Sequence, residues 1–149
     1  MGYWTAMSRQ NVELVRRLQP TPETDLVALF RSDAGTERLM EVLGPFVHED
    51  FVIDGAGIQT GGRVGLEGLK AGWLDWLEPW ETYRTEIEEV IDAGDDVVVL
   101  VRDYGRRRGL TAEVSIRGGA VWTVRNGKIA RAVFYTDREA ALEAVGLRQ

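Results

Sequence analysis

The side chains able to do chemistry in this sequence are few. His48 is the single imidazole, the group whose ordinary pKa lies nearest neutrality and a natural first candidate for proton transfer. It stands in Val47-His48-Glu49-Asp50. The His-Glu step resembles part of a zinc-protease motif, but the second histidine that motif needs is missing. With one histidine and no cysteine, no metal site is expected. Trp73, Trp76, Trp80 and Tyr83 form the densest aromatic cluster. Large rings at helical spacing either pack a core or offer a flat apolar surface to a polycyclic or aromatic ligand. Trp73, Trp76, Trp122 and Phe51 are the candidate ligand-contacting aromatics.

A second set of candidates lies further along the chain. Arg131, Val133 and Tyr135 share one face of a strand, with Ala132 and Phe134 on the other. Glu113, Arg117 and Arg102 belong to neighbouring strands whose register the sequence does not fix. An Arg–Glu pair there is either a structural clamp or a grip on a substrate carbonyl or carboxylate. Arg106-Arg107-Arg108 reads as a solvated loop, although it offers charge for steering an anion. Gly55-Ala56-Gly57 lacks the third glycine and the crossover helix of a dinucleotide site, so no nucleotide cofactor is expected.

The composition narrows the frame. A chain of 149 residues with 44% hydrophobic and 28% charged residues suits one globular domain. A net charge of −6 argues against a general nucleic-acid surface. No apolar run approaches the roughly 18–20 residues of a membrane span, and the first residues lack the apolar stretch of a secretory signal. The expectation is a cytoplasmic protein with neither nucleic-acid nor membrane partners.

These candidates need elements to position them. Val12, Val15 and Leu18 behind Ser8 predict a helix over 8–18, ended by Pro20 and Pro22. Thr21-Pro22 then opens a stripe of Leu26, Leu29 and Phe30. Thr36, Leu39, Val42 and Leu43 predict a third helix, closed by Gly44-Pro45. Phe51 to Asp54 is a short strand candidate. Leu69, Trp73, Trp76 and Leu77 mark a helix broken by Pro79.

From Tyr83 the period changes to two. Strands are predicted over 83–91, 97–102, 111–116, 120–125 and 128–135, with Gly118-Gly119 as a bulge or bend and Asn126-Gly127 as a tight hairpin. Thr136-Asp137-Arg138-Glu139 matches a capping box before a last helix carrying Leu142 and Val145. Helices first and a strand meander second predict an α+β fold, with helices packed on one face of an antiparallel sheet. The reading is one domain over 7–149, with residues 1–6 as an extension.

Several segments carry a family resemblance. Met7 to Arg17, Trp73 to Trp80 and Ile91 to Leu100 resemble stretches of SnoaL-like proteins of the nuclear transport factor two-like superfamily. So do Val121 to Ile129 with its Asn126-Gly127 turn and Tyr135-Thr136-Asp137-Arg138-Glu139 onward. The resemblance implies a cone-shaped α+β barrel: a strongly curved sheet wraps helices and leaves an apolar pocket at its wide end. It also implies homodimers paired through the outer face of the sheet.

Polyketide cyclases, ketosteroid isomerase, dehydratases and epoxide hydrolases share this fold, so fold alone selects no reaction. The resemblance implies cofactor-independent acid/base chemistry on a hydrophobic polyketide- or terpenoid-like substrate, in a cyclase, isomerase or dehydratase. Asp54 or Glu113 would be the proton shuttle, and Tyr135 or Arg131 would stabilise an enolate oxygen. Against the ketosteroid isomerase pattern, Gly55 falls where the general base belongs and Ala120 falls near the oxyanion-donor position. Those departures favour the alternative, a non-catalytic ligand-binding or dimeric assembly module.

Overall fold

A computed structural model describes residues 2–55 and 63–147 of the chain. Helix α1 spans Gly2–Arg17, so it begins before Ser8 rather than at it. Helix α2, Leu26–Arg31, is capped by Asp25, whose carboxylate accepts from the Val27 amide. The predicted start at Thr21-Pro22 is instead a turn, held by the paired hydroxyls of Thr21 and Thr24. Ser32 closes α2 and caps α3, Asp33–Leu43, and Gly44–Phe46 forms a single 3-10 turn that uses Pro45 at its start.

Strand β1, Val47–Gly55, is longer than expected; β2, Arg63–Val64, pairs with it and leads into α4, Gly65–Leu77. The meander comprises β3, Trp80–Ala93; β4, Asp96–Arg107; β5, Glu113–Arg125; and β6, Lys128–Tyr135. Helix α5, Arg138–Ala144, follows, with Asp137 rather than Thr136 as its cap. Among the described residues no helix is long and apolar enough to cross a membrane.

The six strands form one open sheet in the order β2-β1-β6-β5-β4-β3. The meander is antiparallel as the sequence predicts, but β1 lies parallel to β6, with Ile53 opposite Ala132, so the sheet is mixed. A parallel neighbour needs a long connection, and here the whole of β2, α4 and β3–β5 supplies it. Asn126 and Gly127 both have positive φ, as the two-residue hairpin between β5 and β6 requires.

Two other departures have local causes. Arg106 and Arg107 continue β4 instead of forming a loop, and the Arg107 guanidinium lies 5.1 Å from the Trp80 ring centre. Gly118-Gly119 is not a bulge against β4, because the register runs through both residues to Val101 and Leu100. The glycines serve close approach: a Cβ on Gly118 would lie 2.5 Å from the Tyr135 carbonyl oxygen. Gly105 plays the same part on β4, where a Cβ would lie 2.5 Å from the Trp80 ring.

Alternation along β4 divides the protein into two layers. Val97 and Val99 face a core with Val15, Phe51, Ile53, Leu69 and Ile129. Val98 and Leu100 face the other way, against Val121 and the α5 residues Ala141 and Leu142. The run Val97-Val98-Val99-Leu100 is almost wholly buried because each face has its own cover. A third cluster joins Leu26, Val27 and Phe30 of α2 to Leu77, Trp80 and Tyr83.

Candidate functional site

The helices do not fill the space over one face of the sheet. They leave a cavity of about 710 Å³, walled by strand residues such as Phe51, Ile53, Val99 and Val101 and by helix residues such as Phe30, Leu39 and Trp73. Its wall is mostly apolar. Rings line it in sequence: Trp73 stacks on Phe30 at 5.7 Å, meets Phe134 edge-on at 5.5 Å, and Phe134 meets Trp122 edge-on at 5.8 Å. Trp76, also on the wall, meets Tyr83 edge-on at 6.0 Å. Trp73, Trp76, Trp122 and Phe134 are each only half-buried although they belong to the interior, since one side of each borders the cavity.

One polar cluster interrupts this wall. Asp103 sits opposite Thr85 in the β3–β4 pairing. The Thr85 hydroxyl donates to its Oδ1 at 2.5 Å, and the Tyr83 hydroxyl donates to its Oδ2 at 2.6 Å. All three residues line the cavity. Burial pushes the Asp103 carboxyl above its ordinary range, and the bonds from Thr85 and Tyr83 oppose that shift by favouring the charged form. Burial, and after it the charge of Asp103, raises the Tyr83 phenol far above the range where it ionises in water. Tyr83 therefore remains a hydrogen-bond donor. The Trp122 indole Nε1, another group of this wall, is buried with no protein partner.

The candidates read from sequence separate in space. Trp73, Trp76, Trp122, Phe51 and Tyr135 line the cavity. Asp54 points to the other side of β1 and borders a small hollow with Val133, Tyr135 and the start of α5. Alternation dictates this, since Phe51 and Ile53 take the inward positions. Asp54 accepts the Gly55 amide at 2.8 Å. Glu113 is exposed at the start of β5 and lies 3.7 Å from Arg84. Arg131 is exposed and is not among the residues around the cavity. His48 donates from Nε2 to the Arg125 carbonyl oxygen at 2.6 Å, which ties β1 to the β5–β6 hairpin.

Arg102 and Arg117 do converge, but on the outer face and around Glu88, at 3.5 and 3.9 Å. Arg138 of α5 completes that group by pairing with Glu88 and donating to the Val101 carbonyl oxygen. The Arg138 hydrogen bond is the main reason the Glu88 carboxyl is held below its usual range.

Asp103 is the residue sequence reasoning missed. The signal was the alternation Val97, Val99, Val101, Asp103, which carries a carboxylate onto the face that is otherwise apolar.

Residues 26–132 match the SnoaL-like domain, and the chain belongs to that family, within the nuclear transport factor two-like superfamily. Solved structures agree on the fold. A SnoaL-like polyketide cyclase candidate from Jannaschia sp. CCS1 superposes with a TM-score of 0.65 at 21% identity, covering 95% of this chain and 94% of its own. TerC, crystallised with polyporic acid, gives 0.60 at 21% identity over 91% and 98%. A protein of ketosteroid isomerase-like fold from Catenulispora acidiphila DSM 44928, in complex with trimethylamine, gives 0.57 at 18% identity over 86% and 95%. No protein of curated function matches the sequence significantly.

Proposed function

We propose that this protein binds a flat, hydrophobic carbonyl compound in the cavity and moves a proton on it without a cofactor. The Asp103 carboxyl, set in the apolar wall between Tyr83 and Thr85, carries this reading. A carboxyl whose proton affinity is raised by burial can take a proton from the carbon next to a carbonyl. Returning that proton at another position gives isomerisation, and letting the enolate carbon attack a second carbonyl gives ring closure. The Trp122 indole N–H, unpartnered in the wall opposite Val97, is a donor for a polar group further along the ligand from Asp103. TerC, co-crystallised with polyporic acid, is consistent with a protein of this fold accepting a small organic molecule.

The test is deuterium exchange at the carbon next to the carbonyl in a panel of polycyclic aromatic ketones, with binding followed by tryptophan fluorescence. Exchange accelerated by the wild-type protein and lost in Asp103→Asn supports the assignment. Asp54→Asn and Glu113→Gln are the comparison variants. Exchange lost in either of them and kept in Asp103→Asn moves the proton shuttle to that residue.

A second reading is binding without turnover. Its support is that both oxygens of Asp103 are already engaged by neighbouring hydroxyls, which suits a fixed polar anchor as well as a proton carrier. Quenching of fluorescence without accelerated exchange selects it.

A further inference from the structure

We infer that the preferred ligand carries an anionic head group on its hydrophobic body, held at the opening of the cavity by Arg17 and Arg38. This rests on the reading of the cavity as a ligand site and adds the charge of the ligand to it.

Among the described residues around the cavity, three carry charged side chains: Asp103, Arg17 and Arg38. Asp103 is half-buried and bonded to two neighbours, whereas both arginines are exposed. Both arginines border the cavity and are exposed, which puts these two residues at its rim. They come from separate elements, Arg17 from the last turn of α1 and Arg38 from α3. Among the described residues, no carboxylate lies within ion-pair distance of either.

What sets these two apart from other arginines without an ion pair, such as Arg16 and Arg131, is that they border the cavity. The net charge of the chain is −6, and the arginines of the outer face are mostly engaged, with Arg84 on Glu113 and Arg102, Arg117 and Arg138 on Glu88. Two unengaged guanidiniums at the mouth of an apolar chamber give it the polarity of an amphipathic anion: ring system inside, charge outside. Guanidinium forks bind carboxylate and phosphate in the same planar, two-pronged manner, so the shared chemistry is an oxyanion head.

The experiment compares 1-pyrenebutyrate with 1-pyrenebutanol, which share a flat apolar body and differ in the charged head. Pyrene emission reports binding to the full chain. The butyrate is expected to bind about fivefold tighter at low salt, the effect of two solvent-exposed ion pairs, with the preference shrinking as salt is raised. In an Arg17→Gln/Arg38→Gln double variant the ratio of the two affinities falls close to one. A 1-pyrenebutyl phosphate monoester forms a third arm. Whichever anion binds more tightly identifies the head group.

Equal affinities for acid and alcohol in the wild type, or an unchanged ratio in the double variant, overturn the inference. Ile116→Trp separates this from failure of the cavity reading itself. Ile116 is a half-buried wall residue, so the larger ring narrows the cavity without displacing core, and Val101→Trp replaces it if it does not fold. Affinity for every probe unchanged in the narrowed cavity, or no binding by any probe, removes the ligand site and the inference together. Affinity lowered by the narrowed cavity but blind to charge removes only the role of the arginines.

Discussion

The Tyr83 hydroxyl and the Asp103 carboxylate meet at 2.6 Å across the β3–β4 pair, on the wall of the cavity. Each alters the proton affinity of the other. The charge of Asp103 makes the phenol harder to ionise, while the phenol's hydrogen bond makes the carboxylate easier to form. Since burial is the largest influence on Asp103, its carboxyl still lies above the ordinary range.

Stability follows from that direction. A group with a raised folded-state pKa favours the folded state below its unfolded pKa, and loses this contribution as pH rises through the folded value. Ionisation of Asp103 therefore weakens the fold. Asp103→Asn is expected to gain in melting temperature relative to wild type between pH 4 and pH 7.5, by a few °C for a chain of this size. Melts of both proteins across that range test it, and a constant difference would show that Asp103 titrates as it does in the unfolded chain.

Tyr83→Phe removes the donor to Oδ2 and keeps the ring. The expected cost is about 1–2 kcal/mol, read from urea unfolding, because a buried acceptor loses its partner. The Asp103 carboxyl is expected to rise further, followed by the NMR titration of its carboxyl carbon. Unchanged stability with an unchanged titration would mean that water replaces the phenol at no cost.

Gly118→Ala probes the close passage of β5 past the end of β6. Its Cβ would sit 2.5 Å from the Tyr135 carbonyl oxygen, which is backbone and cannot swing aside. A loss of about 1–3 kcal/mol is expected, in the range of overpacked sites. Gly44→Ala is the control, because nothing lies within 4 Å of a Cβ there. Equal effects of the two substitutions would remove the packing explanation.

Glu88→Gln leaves Arg102 and Arg117 directly opposite each other with no carboxylate between them, and takes away the partner of Arg138. Amide exchange in α5 is expected to quicken while the Val97–Val99 amides keep their protection. The Glu88 carboxyl is held low chiefly by its hydrogen bond from Arg138, so the wild-type clamp is present above the unfolded pKa and is lost as pH falls through the folded one. Exchange in α5 that is indifferent both to the substitution and to acid would show that apolar contacts alone dock this helix.

Much of the fold was legible because its signals are local. The change from helical spacing to alternation near Tyr83 separates the two halves, and Asn126-Gly127 fixes a hairpin through positive φ at both residues. The parallel β1–β6 pair was not legible, since no local pattern records which strand joins a distant neighbour. The site was readable in part for the same reason. Helical spacing marked Trp73 and Trp76, whereas Asp103 acquires meaning only when register puts Thr85 opposite it. Arg102 and Arg117 stand as a pair, but register gives them Glu88 and gives Glu113 to Arg84.

The parallel pairing also sets an order on how the chamber comes into being. The meander strands pair with close sequence neighbours, while β1 joins β6 across partners whose numbers differ by about eighty. Closing so long a loop costs chain entropy that hairpins do not incur, which places this junction late on the folding path and among the first to open under stress. Phe51 and Ile53 ride on that strand. The wall they form is therefore the last to be assembled, and a newly made chain acquires its interior space only when its two halves have found each other.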